Sequence, residues 1–211
     1  LLEEMERDPN SVYFGEDVAT MSGAFGATAG LLDRFGPDRV FDTPIAEATI
    51  AGAALGMALA GLTPITEFSF ADFVGIAFDE IYNKLGKWNW MHGSCFKIPV
   101  TIRLPVGALA GSGPEHSQSP QALFIHSQGL YVAVPSTAYD AKGLLKTAIR
   151  DPNPVLFFEH KLLYGMPGEV PEEEYSIPFG VADIKREGSD VTIIATSMQV
   201  LTALNAANML A

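Results

Sequence analysis

Short runs of β-branched and aromatic residues recur along the chain, each followed by a longer stretch with helical spacing, and this alternation constrains the fold more than any other feature. The runs cover 12–14, 40–41, 64–68, 100–104, 131–134 and 155–159, and helices are expected over 28–35, 48–60, 73–90, 120–126 and 138–150. Strands separated by helices cannot form hairpins. They pair in parallel through right-handed crossovers, which gives an α/β fold with a mostly parallel sheet flanked by helices. Thr137 and Asp140 open the last helix in a capping-box spacing, with Asp in place of the usual Glu. Ligands of such sheets bind beyond the carboxyl ends of the strands, so the turns after the runs are where function is sought.

The chain of 211 residues, 48% of them hydrophobic, has enough apolar material for one large α/β domain, or for one domain and part of another. Its formal charge of −12, with Lys and Arg scattered rather than striped, offers no footprint for nucleic acid or an anionic membrane. Small molecules and proteins are the expected partners. The single cysteine, Cys95, excludes an intrachain disulfide framework and a cysteine-based zinc site. It fits a reducing compartment, and the cytosol is the expected location. Neither a signal peptide nor a run of about 18 apolar residues is visible.

Texture changes after Tyr164, where Gly165-Met166-Pro167-Gly168 and the acidic Glu172-Glu173-Glu174 read as a solvated linker. Residues 190–196 then read as a fresh buried strand leading into a helical pattern over 200–211. The expected organisation is a first domain over 1–164, a linker over 165–186 and the opening of a second α/β domain over 187–211. Helical patterns at both ends give the chain the look of a piece of a longer protein.

The common nucleotide signals are missing. No phosphate loop ends in Gly-Lys-Ser/Thr, and Gly111-Ser112-Gly113 lacks the third glycine and the strand-to-helix context of a dinucleotide fingerprint. No Gly-x-Ser-x-Gly elbow occurs, and His92, His116, His126 and His160 have no metal-ligand spacing among themselves. What remains is polar or aromatic residues at strand ends: Glu16, Glu47, Phe73 and His116. Glu47 stands before an almost wholly small and apolar stretch, 48–61, that reads as a buried helix. An unpaired charge in such a place costs several kcal/mol, so Glu47 either complements the helix dipole, worth about 0.3–1 kcal/mol, or is kept for chemistry. Phe73 has a core-packing alternative, His116 that of a turn histidine, and Glu16 that of an acidic turn.

Six motifs occur in one order: Gly15-Glu16-Asp17, Asp42-Thr43-Pro44-Ile45-Ala46-Glu47, Phe68-Ser69-Phe70-Ala71-Asp72-Phe73, His116-Ser117-Gln118-Ser119, a Pro-Ser-Thr-x-x-Asp-Ala-Lys-Gly-Leu-Leu run from Pro135 to Leu145, and Glu159-His160-Lys161-Leu162-Leu163-Tyr164. In that order, from about residue 10 onward, the chain resembles the β subunit of the thiamine-diphosphate-dependent decarboxylating component of 2-oxo acid dehydrogenase complexes. The resemblance implies the thiamine-diphosphate-binding α/β fold, with a pyrimidine-binding domain followed by a transketolase C-terminal-like domain. Glu47 is then the carboxyl group that exchanges a proton with the cofactor's pyrimidine ring, and Phe73 the aromatic stacked on that ring. His116 faces the reacting carbon and serves substrate or acyl transfer. Glu16 belongs to an acidic channel between the two active sites of the assembled enzyme. Carbonyl and amide oxygens around Val100, Ala148, Ile149, Asp151 and Asn153 are implied to hold a structural K⁺.

The same resemblance implies partners. The family's Gly-Asp-Gly motif for diphosphate and Mg²⁺ is absent from this chain and belongs to an α subunit, so thiamine diphosphate is shared within an α2β2 heterotetramer that passes acyl groups to a lipoyl-bearing acyltransferase. The substrate is a small 2-oxo acid or acetoin, the 159–164 run leaning toward the pyruvate and acetoin branches. The compartment is the bacterial cytosol or, in a eukaryote, the mitochondrial matrix. A transketolase-like or deoxyxylulose-phosphate-synthase-like transferase and a non-catalytic module of the same fold are the alternatives.

Overall fold

The computed structural model describes residues 1–109 and 111–210. In chain order its regular elements are α1 (Leu2–Arg7), β1 (Ser11–Gly15), α2 (Leu31–Phe35), β2 (Val40–Asp42), α3 (Glu47–Leu59), β3 (Thr63–Glu67), α4 (Gly86–Met91), β4 (Thr101–Val106), α5 (Gln121–Ile125), β5 (Tyr131–Ala133), α6 (Ala138–Arg150), β6 (Val155–His160) and α7 (Met198–Leu210). The strands form one sheet in the order β2-β1-β3-β4-β6-β5, with every neighbouring pair parallel. All six expected strands are present, within two residues at each end.

Helices cover both faces, which is why the strands read as unbroken apolar runs. Along β1, Val12 and Phe14 enter the main core with α3, while Tyr13 points to the opposite face with Met5, Leu31 and Val40. In β6 the same alternation sends Leu156 and Phe158 one way and Val155 and Phe157 the other. Ala51, Ala54 and Ala58 line the buried side of α3, small enough to bring its axis close to the sheet. At the start of α6 the Thr137 hydroxyl accepts from the Asp140 N–H (3.1 Å), and the Asp140 carboxylate reaches back to the Ser136 N–H (3.3 Å). The expected capping box is therefore formed, with its return bond one residue earlier.

Four expectations need correction. The helix over 28–35 shrinks to Leu31–Phe35, because the segment before it is held as a loop: Thr28 donates its hydroxyl to the Val18 carbonyl (2.6 Å), and Gly30 adopts a left-handed conformation (φ 79°). The helix over 73–90 is interrupted. A 3₁₀ turn at Ala71–Gly75 comes first, and a widened π-helical turn at Glu80–Leu85 runs into α4. That widening keeps Ile81 and Leu85 in the core while setting Gly86 against the loop after α5, where a Cβ on Gly129 would lie 1.9 Å from the Gly86 carbonyl oxygen. Residues 190–196 form no strand, since no neighbouring strand among the described residues takes up their backbone groups, and Ile194 is 91% exposed. The helix expected over 200–211 begins earlier, at Met198, and its last expected residue, Ala211, lies outside the described residues.

Residues 165–186, read as a solvated linker, are mostly exposed and are anchored on α6 at a few points. The Ile177 N–H donates to the Gly143 carbonyl (3.1 Å), and the Thr147 hydroxyl donates to the Ile177 carbonyl (2.6 Å). This contact requires glycine, since a Cβ on Gly143 would sit 2.5 Å from the Ile177 side chain. Lys146 (2.6 Å) and Arg150 (2.5 Å) bind the exposed Glu174 carboxylate and hold it down to about 2. Among the described residues no helix is long and apolar enough to cross a membrane.

One cluster ties the strands together near their carboxyl ends. Arg103 of β4 is fully buried and donates to Glu67 of β3 (2.6 Å), to the Tyr13 hydroxyl of β1 (2.6 Å) and to Glu159 of β6 (2.9 Å). Tyr164 donates to Glu159 (2.9 Å), and Tyr13 to Glu67 (2.6 Å). Burial alone would drive the proton off Arg103, but Glu159, Glu67 and the two phenol oxygens outweigh it and keep the guanidinium charged. Removing one partner of such a group strands the others, at a cost of about 3–5 kcal/mol. Arg103→Met is therefore expected to lower the unfolding free energy by about that amount in a denaturant titration, and adding Glu67→Gln and Glu159→Gln should recover much of it.

Candidate active site

Beyond the sheet's carboxyl edge, the turn after β1 is shaped by close approach. A Cβ on Gly15 would lie 2.4 Å from the Glu67 carbonyl oxygen, so only glycine lets β1 and β3 end side by side. The chain then reverses at Asp17 (φ 56°), and the loop is pinned by Asp42, which accepts from the Ala19 N–H (2.6 Å) and the Thr20 hydroxyl (2.6 Å). Glu16 is thereby turned inward and is 5% exposed. Glu47, the first residue of α3, is 2% exposed and stands among the free N–H groups of the helix start, where Ala46 offers no side-chain cap.

Glu16 is the perturbed one of the two carboxyl groups. Burial first, then the nearby Glu47 and Asp17, push the Glu16 carboxyl up to about 7 against the opposing pull of the Ser69 N–H. Its Oε1 is buried with no hydrogen-bond partner among the described residues. An acid group buried to this degree with an unused oxygen is suited to holding or passing a proton near neutral pH.

The segment that follows β3 joins this acidic pocket to an aromatic one. Ser69 faces Glu16, while Phe70 and Phe73 meet the His116 ring edge-on, with centroids 5.8 and 5.4 Å away. Phe70 also packs on Phe25 (6.0 Å), which stacks on Tyr164 (4.4 Å), so the wall continues to the Arg103 cluster. His116 is half-buried in a 3₁₀ turn, Pro114–His116, after the glycine-containing loop that leaves β4. The structure thus pairs Glu16 with Glu47 and Phe73 with His116, and residues 69–73 link the pairs.

The residues singled out for a cation lie elsewhere, at the amino edge of the sheet. Val100 accepts from the Val155 N–H (2.9 Å), the Ala148 carbonyl from the Asp151 N–H (3.3 Å), and the Asp151 carboxylate from the Asn153 N–H (2.8 Å), with Ile149 buried beside them. A cavity of about 440 Å³, lined by Thr137, Tyr139, His160, Tyr164 and Lys185 among others, lies beyond Tyr164 and includes none of Glu16, Glu47, Phe73 or His116. Arg103, Glu67, Glu159, Lys161, Asp72 and Phe25 were given no role from the sequence, although Glu159, Lys161 and Asp72 stand within its motifs. For the first three a signal existed, since charged residues inside otherwise apolar strands require partners; Phe25, in a small-residue loop, carried none.

The raised Glu16 carboxyl makes a pH prediction. Below its ordinary 4.5 the group is protonated whether the chain is folded or not; between there and about 7 the folded chain holds the extra proton, so stability falls as pH rises. In the cofactor-free protein, the unfolding free energy should decline across this window by on the order of 3 kcal/mol relative to Glu16→Gln, as followed by denaturant titrations at several pH values.

Comparison with known proteins agrees with this fold. The family model described as "Transketolase, pyrimidine binding domain" matches residues 1–167. The chain is 47% identical over 209 residues to the 2-oxoisovalerate dehydrogenase subunit beta of Bacillus subtilis (strain 168), covering 99% of this chain and 64% of that protein. It is 50% identical over 208 residues to the pyruvate dehydrogenase E1 component subunit beta of Rickettsia felis, with coverage of 99% and 64%. With the acetoin:2,6-dichlorophenolindophenol oxidoreductase subunit beta of Bacillus subtilis it shares 48% over 215 residues, covering 96% and 63%. The chain therefore spans under two thirds of the length of these relatives. A solved structure described as a split gene transketolase, an inactive β4 tetramer, superposes with a TM-score of 0.79 at 27% identity, covering 99% of this chain and 63% of its own. With most of its length matched by the family model, the chain belongs to the transketolase pyrimidine-binding domain family.

Proposed function

We propose that this chain is the pyrimidine-binding part of the β subunit of a thiamine-diphosphate-dependent 2-oxo acid dehydrogenase, and that its strand-end crevice is half of the active site. The observation that carries the reading is the buried Glu16–Glu47 pair, with one Glu16 oxygen unpartnered, beside an aromatic wall that contains His116. These residues fit the cofactor's pyrimidine end: an acid for a ring nitrogen at Glu47, a hydrophobic face at Phe73, and an unused buried acceptor at Glu16. The bound cofactor supplies the electron sink for breaking a carbon–carbon bond next to a carbonyl.

Glu47 holds the proton exchanged with the ring nitrogen, kept from water by its burial at the start of α3. Phe73 orients the ring by contact with its face. His116, held edge-on by Phe70 and Phe73, donates or accepts a proton at the substrate or acyl oxygen. Glu16, poised near neutral pH, relays a proton away from Glu47. The diphosphate and its Mg²⁺ are assigned to an α subunit, since this chain has no Gly-Asp-Gly motif.

The assembly proposed is an α2β2 heterotetramer serving a lipoyl-bearing acyltransferase, in the bacterial cytosol or the mitochondrial matrix. Residues 1–164 form the cofactor domain, 165–186 the linker, and 187–211 the opening of a transketolase C-terminal-like domain. Carbonyls of Val100, Ala148 and Ile149 with Asp151 and Asn153 are proposed to surround a structural K⁺, a hard cation suited to oxygen ligands. Relatives named for 2-oxoisovalerate, acetoin and pyruvate stand at 47–50% identity, so the substrate proposed is the class they share, a small 2-oxo acid or acetoin. The transketolase likeness, at 27%, supports the fold more than the reaction.

Two measurements test the proposal. Glu47→Gln in the assembled enzyme should still bind thiamine diphosphate yet lose turnover by about 10²–10⁴, because the amide keeps the shape and not the exchangeable proton; near-normal turnover would sink the assignment. By calorimetry, the β chain alone should bind thiamine diphosphate weakly or not at all, with or without Mg²⁺, and tight Mg²⁺-dependent binding should appear once the α subunit is added. Tight binding by the β chain alone would overturn the half-site model.

A further inference from the structure

The loop that carries His116 has little of its own to hold it. Gly111 and Gly113 take left-handed backbone conformations (φ 79° and 76°); among the described residues the loop's own bonds are those of the His116 N–H (3.3 Å) and the Ser117 hydroxyl (2.7 Å) to the Gly113 carbonyl and of the Ser112 N–H to the Leu109 carbonyl (3.1 Å), and the Gly107 N–H closes its base on the Gln118 carbonyl (2.9 Å). The side-chain anchors come from two other elements. Lys161, in the turn after β6, donates its ammonium to the His116 carbonyl, and the same Nζ lies 4.1 Å from the centre of the Phe70 ring, a cation–π contact. Asp72, next to Phe73, accepts from the Gln118 N–H (2.8 Å), and its other oxygen faces the Lys161 ammonium at 3.9 Å.

Both side chains of this pair are 1% accessible. Burying a lysine and an aspartate costs more than a surface pair returns, so the pair is poorly explained by stability alone. What it does geometrically is specific: a single ammonium fixes the backbone of His116 and one of the two rings that hold its imidazole.

We propose that Lys161, together with Asp72, is the positioning device for His116, setting the imidazole's place from β6 and the turn after β3 instead of from its own loop. The proposal deepens the reading above and rests on His116 serving the acyl-transfer half of that reaction. Lys161, its side chain 1% accessible, acts through the His116 carbonyl and the Phe70 ring.

The test uses the full-length chain assembled with its α subunit. Lys161→Met alone would strand the buried Asp72 charge, so it is combined with Asp72→Asn, whose amide oxygen still accepts from the Gln118 N–H, and compared with Asp72→Asn by itself. Two readouts are taken: hydrogen exchange at the amides of 116–118, and the rate of reductive acylation of a lipoyl domain, the latter with His116 present and in the His116→Ala background. Loss of a charge-assisted bond predicts exchange about tenfold faster on adding Lys161→Met, and acylation about tenfold slower with His116 present. With His116 replaced by Ala, the same change should cost less than about twofold, because the two residues act as one unit. Unchanged exchange at 116–118 would overturn the proposal, as would an equal acylation cost in both backgrounds. If His116→Ala alone leaves acylation intact, the functional reading of His116 falls, and the exchange measurement still decides whether Lys161 orders the loop.

Discussion

A guanidinium with no access to water has to be neutralised where it stands, and the neutralisation of Arg103 determines how four strands end. Glu67, Glu159 and Tyr13 come from β3, β6 and β1, and the register that sets Glu67 opposite Arg103 is the one that brings them within bonding distance. A slip of one residue would turn each group to the other face of the sheet. The cluster therefore specifies alignment as much as it adds stability, which is the role best attested for buried polar groups. The loop between β1 and α2 closes over it, with Gly23 in a left-handed conformation against the Glu67 carboxylate.

From that fixed edge the crevice divides into an acidic and an aromatic half with different electrostatic demands. Glu16 and Glu47 are kept close in a space that disfavours two negative charges, so one proton is retained near neutral pH. His116 is surrounded by ring edges and an exposed neighbour, Glu115, 3.8 Å away. The buried carboxyl pair and the imidazole thus lie in adjoining but separate surroundings.

The sheet was legible in the sequence because burial on both faces forces continuous apolar runs, and six of these stand out between turn formers. Glu16, Glu47, Phe73 and His116 were legible because each follows a strand, and strand ends share an edge. What periodicity could not show was the interruption between Phe73 and α4, since 3₁₀ and π turns keep nearly the apolar spacing of an α-helix. The anchoring of 165–186 on α6 was hidden for another reason. Its acidic and turn-forming residues look solvated, and only the groove at Gly143 and the cations on α6 make them adhere. The strand expected at 190–196 shows the converse: β composition is no strand without a neighbour to pair with.

The stretch from Ser69 to Phe73 touches the acid pocket with its first residue and the imidazole with its last. It works as a ruler between two chemistries. Ser69, Phe70, Asp72 and Phe73 each make a contact of their own and Ala71 is buried, and an inserted or deleted residue would shift one pocket relative to the other by about 2 Å, more than a hydrogen bond tolerates. Its length is therefore as tightly bound as the side chains that make those contacts.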